Sequence, residues 1–154
     1  MKKFNIKELL FYIGITLLVG SLPSFFIKIG DKYKSMNKPP LSPPGILFPI
    51  VWTILFILMG ISIYRVVRKR SKYTDEAKRI YFIQLIVNAL WTPIFFGLQN
   101  YFLAFIWIII LIVLVISMII TFNKIDKVSA YLNIPYLLWL VFACYLTFGT
   151  LILN

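Results

Sequence analysis

One stretch of this sequence reads YFLAFIWIIILIVLVISMIITF, residues 101–122, without a single charged side chain. A helix rises ~1.5 Å per residue, so this stretch is long enough to cross the ~30 Å hydrocarbon core of a bilayer. It lacks the alternation of a membrane β-strand, which leaves a helix as the spanning structure that pairs its backbone groups. The sequence therefore predicts that lipid surrounds much of this protein.

Four other stretches are nearly as apolar. Hydrophobic residues make up 61% of the 154-residue chain, and hydropathy divides it into five predicted spans. Because the spans fill most of the chain, we predict one all-α integral membrane domain, residues 1–154, built as a bundle of five transmembrane helices. The spans are Leu9–Ile29, Gly45–Val67, Ile80–Leu98, Tyr101–Phe122 and Val128–Leu153.

The net charge of +11 is concentrated on one side of the predicted bundle. Twelve basic residues lie in the N-terminus, the second loop and the fourth loop, against four in the first loop. The positive-inside rule then predicts a cytoplasmic N-terminus and an outside C-terminus. The twelve are Lys2, Lys3, Lys7, Arg65, Arg68, Lys69, Arg70, Lys72, Lys78, Arg79, Lys124 and Lys127; the four are Lys28, Lys32, Lys34 and Lys38.

This alternation of charge favours a bilayer surface over nucleic acid as the partner of the basic residues. We predict that the basic cluster Arg68–Lys72 faces anionic lipid. Abundant Ile, Lys, Asn, Phe and Tyr suit an AT-rich bacterial genome, so the expected location is a bacterial plasma membrane. A secretory signal is an alternative for the N-terminus, but the apolar run continues to Ile29, beyond a typical signal core.

The available residue types exclude several chemistries. Histidine is absent, so imidazole cannot ligate a metal or transfer protons. The acidic residues fall at span ends or in loops, whereas an ion-coupled carrier keeps an ionisable group inside the membrane. We therefore expect no metal site, no required cofactor and no conventional hydrolytic or redox enzyme. The acidic residues are Glu8, Asp31, Asp75, Glu76 and Asp126.

A polar helix face is predicted in the third span. Gln84, Asn88 and Trp91 are spaced by four and three residues, which places them on one side of a helix. An amide in hydrocarbon is costly unless it is paired, so this face should look into the bundle. Two interpretations stay open: hydrogen bonds between helices, or the polar wall of a ligand pocket.

Tryptophans and prolines interrupt the apolar spans. Trp139 lies too deep for an interfacial belt residue, and Trp52 is ambiguous, so packing and pocket lining are both open. Trp107 has only Phe and Ile neighbours and is interpreted as packing or lipid-facing. Three prolines within spans each free a carbonyl one turn earlier, and kinks there could open a cavity. They are Pro49, Pro93 and Pro135.

Two loops have distinct predictions. The first, Gly30–Pro44, contains four prolines and is expected to be a stiff, extended lid. The third is a tight turn at Gln99-Asn100, which predicts an antiparallel hairpin of the third and fourth spans.

These interruptions fall within four motifs that occur in order along most of the chain. The motifs are Tyr33-x4-Lys38-Pro39-x3-Pro43-Pro44, Val51-Trp52-x6-Met59-Gly60, Asn88-x2-Trp91-x-Pro93-Ile94-Phe95-Phe96-Gly97 and Pro135-Tyr136-x2-Trp139-x2-Phe142-Ala143. Together they resemble the TspO/MBR family, the translocator proteins or tryptophan-rich sensory proteins, and the count of five helices agrees.

The resemblance implies a five-helix bundle, often a homodimer, with a pocket under the first loop. Members of the family bind protoporphyrin and haem, and some bind sterols and benzodiazepine-type drugs. Some bacterial members degrade porphyrin in light, a role that would fall here to Trp52 and Trp139. The ligand-binding residues implied by position are Tyr33, Pro44, Trp52, Asn88, Trp91, Trp139 and Ala143.

Departures from the family pattern lie mainly in the first loop. Lys32 and Leu41 stand where many relatives have tryptophan. One hypothesis is that Lys32, Lys34 and Lys38 meet the propionates of a porphyrin. Sterol binding is not supported, because no basic residue follows Tyr145.

Three functions follow as hypotheses. The first is a membrane receptor for tetrapyrroles with a sensory or regulatory role, extended by light-dependent porphyrin degradation. The second is a small transporter of porphyrin or another hydrophobic solute. The third is a regulatory protein whose basic cytoplasmic loops contact a partner.

Overall fold

A computed structural model describes residues 3–154, and within them every regular element is helical. Met1 and Lys2, the latter among the predicted cytoplasmic basic residues, lie outside the described residues. A 3₁₀ turn, Leu22–Phe25, follows the first helix, and a π-helical turn, Pro93–Gly97, follows the fourth. The α-helices are α1 (Ile6–Ser21), α2 (Ile29–Ser35), α3 (Leu47–Lys69), α4 (Thr74–Thr92), α5 (Tyr101–Asn123), α6 (Lys127–Leu132) and α7 (Ile134–Leu153).

Five segments are long and apolar enough to cross a membrane, which confirms the five predicted spans. Some of these segments begin earlier than the predicted spans, because a polar first turn of the helix precedes the apolar residues. The first span begins at Ile6 because the Asn5 side chain caps the backbone N–H groups of Lys7 and Glu8. The third begins at Thr74, with acidic residues in its first turn, where they complement the helix dipole.

The first span and first loop differ from expectation. Helix α1 ends at Ser21, and Pro23 lies in the following 3₁₀ turn, because proline cannot donate to a continuing helix. The loop is not extended throughout, since Ile29–Ser35 forms α2 before the first loop proline. From Met36 to Pro44 the loop has no regular structure, and a turn at Pro40 and Leu41, with Leu41 at a positive φ of 69°, divides it.

The three span prolines act differently. Pro49 lies in the first turn of α3, which runs uninterrupted to Lys69, so the predicted kink is wrong: the missing N–H costs nothing there. Pro93 begins the π-helical turn, closed by the Leu98 N–H donating to the Pro93 carbonyl at 2.8 Å. Pro135 is the second residue of α7, which begins immediately after the helix is interrupted at Asn133.

Helix packing follows the predicted hairpin. Helices α4 and α5 pack together, α5 packs on α7, and α1 packs on α3. The turn between α4 and α5 places Gln99 at a positive φ of 51°, and the Asn100 side chain accepts from the Leu103 N–H at 3.1 Å. The antiparallel hairpin of the third and fourth spans is therefore confirmed.

Ion pairs join the N-terminus, second loop and fourth loop at one end of the bundle. Arg68 pairs with Glu8 at 2.8 Å, and Asp126 pairs with Arg65 at 2.7 Å and Lys69 at 2.9 Å. Burial alone would raise the pKa of Asp126, but hydrogen bonds from Arg65, Lys69 and Ser129 hold this pKa well below its usual range. We call this the basic end.

The basic end corrects one prediction. Arg68 is 6% exposed and Lys69 is engaged by Asp126, so half of the cluster Arg68–Lys72 binds protein carboxylates rather than lipid. These contacts form because α1 and the α5–α6 connection bring acids beside the end of α3. Arg70 and Lys72 are exposed.

The first loop and the C-terminus meet at the opposite end, which we call the loop end. The Asn154 side chain donates to the Asn37 carbonyl at 2.9 Å, and the Tyr145 hydroxyl donates to the Pro40 carbonyl at 2.7 Å. The alternation of loops is thus as predicted; which end faces the cytoplasm stays a prediction.

Candidate functional site

One cavity of about 1040 Å³ occupies the half of the bundle at the loop end. The first loop roofs it, and α1, α3, α4, α5 and α7 contribute its walls. Every residue assigned to ligand binding by position borders this space. They are Tyr33, Pro44, Trp52, Asn88, Trp91, Trp139 and Ala143.

The roof is held by hydrogen bonds within the first loop and to the π-helical turn. The Tyr33 hydroxyl donates to the Pro43 carbonyl, and Lys38 donates to the Tyr33 carbonyl at 3.0 Å. Lys32 reaches across to the Phe96 carbonyl at 2.7 Å. These bonds place the Tyr33 ring over the cavity and fasten α2 to the end of α4.

Aromatic pairs form the walls. Trp52 stacks on Phe56 at 5.4 Å between ring centroids, and Trp91 stacks on Phe95 at 4.6 Å. Phe48 joins two predicted residues, lying edge-on to Tyr33 at 5.1 Å and to Trp139 at 5.9 Å.

The three phenylalanines border the cavity but were missed by sequence reasoning. A signal was present, because Phe48 and Phe56 lie four residues on either side of Trp52. Phe95 lies four residues after Trp91, a spacing that places both side chains on the same helix face.

A hydrogen-bonded layer forms the floor. Asn88 donates to the Tyr136 hydroxyl at 2.7 Å, and that hydroxyl donates to the Gln84 side-chain oxygen at 2.7 Å. Asn88 borders the cavity, whereas Gln84 and Tyr136 are fully buried beneath it. Gln84 therefore only links helices through its hydrogen bond. Asn88 also links helices, and in addition it forms part of the cavity wall.

Two tryptophan side chains leave a hydrogen-bond donor unused. Among the described residues, the indole N–H groups of Trp91 and Trp139 find no acceptor, and both nitrogens are buried, although both rings border the cavity. A buried donor without a partner is costly. Because neither nitrogen is exposed to the cavity, it is the ring surfaces of these tryptophans that a ligand would contact.

Trp107 lies outside the cavity. Its indole N–H donates to the Val87 carbonyl at 2.8 Å, and its ring packs against the cluster around the π-helical turn. The interpretation of Trp107 as a packing residue is confirmed.

The residues implied by position lie on the first loop and the second, third and fifth spans, whereas all five spans contribute to the cavity. Ile108 and Leu111 of α5 border it and are buried, so the fourth span also contributes to its wall. Gly20, Ser21 and Ser24 border it from the first span. Apolar residues without special chemistry leave no sequence signal for such a role.

The loop lysines divide into two groups. Lys34 and Lys38 border the cavity, and Lys32 does not. The hypothesis that all three meet a ligand is therefore wrong for Lys32, whose ammonium group the Phe96 carbonyl engages.

The lining suits binding of a flat, largely apolar molecule. Among the described residues that border the cavity there is no carboxylate, thiol or histidine. Aromatic faces and a few directed polar groups are the usual composition of a small-molecule site. Trp52 also lies edge-on to Tyr136, 6.1 Å between centroids, and Trp52 and Trp139 border the same cavity.

Comparison with known proteins gives similarity over the whole bundle. A sequence profile of the TspO/MBR family matches residues 12–153. Tryptophan-rich protein TspO of Chlorobaculum tepidum is 35% identical over 97% of this chain and 98% of its own length. Tryptophan-rich sensory protein of Cereibacter sphaeroides is 33% identical, with 83% of this chain and 80% of that protein covered. Translocator protein of Ovis aries is 29% identical, covering 75% and 70%.

Proposed function

Because the chain belongs to the TspO/MBR family, we propose that it is a membrane receptor that binds a tetrapyrrole, protoporphyrin or haem, in the cavity under the first loop. The observation that supports this proposal is that three tryptophans, Trp52, Trp91 and Trp139, border one cavity of about 1040 Å³. Small-molecule sites commonly have ~300–1,000 Å³, so the space is large enough for a macrocycle. A sensory or regulatory role accords with the names of the bacterial relatives.

The donors of the cavity support a ligand with a polar edge. Lys34 and Lys38 border the cavity and can meet acceptors at the periphery of the ligand, while stacked rings contact its faces. Since the chain has no histidine, a bound haem would be held by its ring faces and periphery rather than by an imidazole.

Light-dependent degradation of the bound porphyrin is part of the proposal. The protein would position the porphyrin, whose own excited state and oxygen supply the chemistry. The electron donors in this proposal are Trp52 and Trp139, which border the cavity and need no titrating group for that role. Illumination of the complex with Trp52→Phe and Trp139→Phe tests this, and loss rates equal to the parent protein would remove both residues from the reaction.

The closed floor favours binding over continuous translocation. Below the layer of Gln84, Asn88 and Tyr136, the bundle is filled by packed side chains such as Ile63, Tyr81 and Met118. A solute could pass to the basic end only if this layer opened. The homodimer implied by the resemblance stays a prediction.

Titration of protoporphyrin into the purified protein in nanodiscs tests the proposed function. We expect saturable binding, read from the porphyrin absorbance. Trp139→Leu should weaken it about 3- to 10-fold, because the aromatic contact that it removes contributes ~0.5–1.5 kcal/mol. Trp107→Leu is the matched control and should leave affinity unchanged. Binding that does not saturate, or an equal effect of both variants, would contradict the proposal.

A further inference from the structure

Lys34 is the free cation at the edge of the cavity. It lies in the last turn of α2, is exposed, and borders the cavity. Its ammonium group has no hydrogen bond or ion pair to another described residue. By contrast, Lys32 is bound to the Phe96 carbonyl, and Lys38 donates to two loop carbonyls while lying 4.8 Å from the Tyr33 ring centroid.

No ion pair among the described residues lies at this edge. The three ion pairs found there all lie at the basic end, on the far side of the floor. Asp31, one turn before Lys34 on the same helix, is exposed and does not pair with it. The cavity lining has two lysines and no carboxylate, and with Lys28 and Lys32 nearby against Asp31 alone, its mouth has a net positive potential.

Charge and aromatic surface are separated in space within the site. The stacked rings of Trp52 and Trp91 lie in the interior, whereas the lysines lie on the loop that covers it. A ligand that matches both must have an apolar, flat body and an anionic group at its edge. A neutral molecule of the same shape would match only the interior.

We infer that Lys34 makes this cavity select ligands that carry a carboxylate at the edge of a flat apolar body over their neutral counterparts. Lys38 adds a second positive charge at the same edge. The inference rests on the proposed function and names the feature of the ligand that the site distinguishes. Lys34 is a specificity residue in it, since the aromatic interior supplies the remaining contacts.

Two ligands that differ only in charge test the inference. Protoporphyrin IX has two free carboxylates, and its dimethyl ester has none. Affinities are measured in nanodiscs of zwitterionic lipid, with empty nanodiscs giving the membrane partition of each ligand. We expect the free acid to bind about 2- to 5-fold more tightly after that correction, the size expected of an exposed charge pair.

Lys34→Gln should reduce this preference, with Lys38 retaining the remainder, and should leave ester affinity unchanged; the retained ester binding shows that the variant is folded. Lys28→Gln is the control, because Lys28 immediately precedes α2, is exposed, carries the same charge and does not border the cavity. It should keep the preference. High salt should reduce the preference in the parent protein.

Equal affinity of the two ligands for the parent protein would overturn the inference, as would an equal effect of Lys28→Gln and Lys34→Gln. If Lys34→Gln lost both ligands by misfolding, Lys34→Arg would decide, since it keeps the charge; an Arg variant without preference would overturn the inference. Failure of both ligands to bind the parent protein is a different result, which overturns the proposed function together with the inference.

Discussion

At the scale of single residues, Tyr136 connects the cavity to the packed core. Its hydroxyl accepts from Asn88 and donates to Gln84, both at 2.7 Å. Buried amides in a membrane protein need such partners, because lipid offers none. One hydroxyl therefore satisfies two amide side chains on α4 and holds Asn88 at the cavity wall.

Tyr136→Phe is predicted to destabilise the protein by about 1–2 kcal/mol, since it leaves both amides without this partner. Denaturation in mixed micelles, followed by helical circular dichroism, measures the change. Tyr131→Phe is the control, because Tyr131 is exposed and its hydroxyl has no hydrogen bond to another described residue. Equal stability of the two variants would show that the hydrogen-bonded layer contributes nothing measurable.

At the scale of elements, α1 and α3 pack closely because of one glycine. A Cβ added at Gly60 would lie 2.6 Å from the Cα of Ile13 on α1, closer than real contacts allow. Small residues let membrane helices approach in this way. The resulting pair supports the wall of the cavity, where Gly20 of α1 faces Phe56 of α3.

Gly60→Ala should push α1 away from α3 and destabilise the protein by about 1–3 kcal/mol, the usual cost of overpacking. The same micelle denaturation measures it. Gly14→Ala, in α1 with nothing within 4 Å of the added Cβ, should be neutral or stabilising, because alanine favours a helix over glycine. If Gly60→Ala were as well tolerated as Gly14→Ala, close helix approach would not be needed.

At the scale of the whole molecule, the two ends of the bundle have different construction. Ion pairs close the basic end, and a hydrogen-bonded loop covers the cavity at the loop end. The distribution of basic residues predicts that the basic end faces the cytoplasm. The cavity would then open towards the outer side of the membrane.

Cysteine labelling in intact bacterial cells tests this orientation. With Cys144 replaced by alanine, Ser35→Cys at the loop end should react with an impermeant maleimide. Lys72→Cys at the basic end should react only after the membrane is permeabilised. Both positions are exposed in the folded protein, so reactivity reports the side of the membrane. The reverse pattern would invert the predicted topology.

The sequence by itself determined the environment, the number of spans and much of the site. Uncharged runs such as 101–122 admit only spanning helices, since lipid leaves no other partner for the backbone. Interruptions of those runs by Trp52, Asn88 and Trp139 marked the residues that later proved to border one cavity. Such interruptions are informative because placing a polar or bulky side chain in a span costs free energy that an ordinary apolar side chain does not.

Only the tertiary structure decided how these residues are used. It engaged Lys32 with the Phe96 carbonyl while leaving Lys34 free at the cavity edge, although both are loop lysines two residues apart. It also buried Arg68 beside Glu8 and brought Ile108 to the cavity wall. The physical reason is that each outcome depends on a partner distant in sequence, which charge and hydropathy along the chain do not specify.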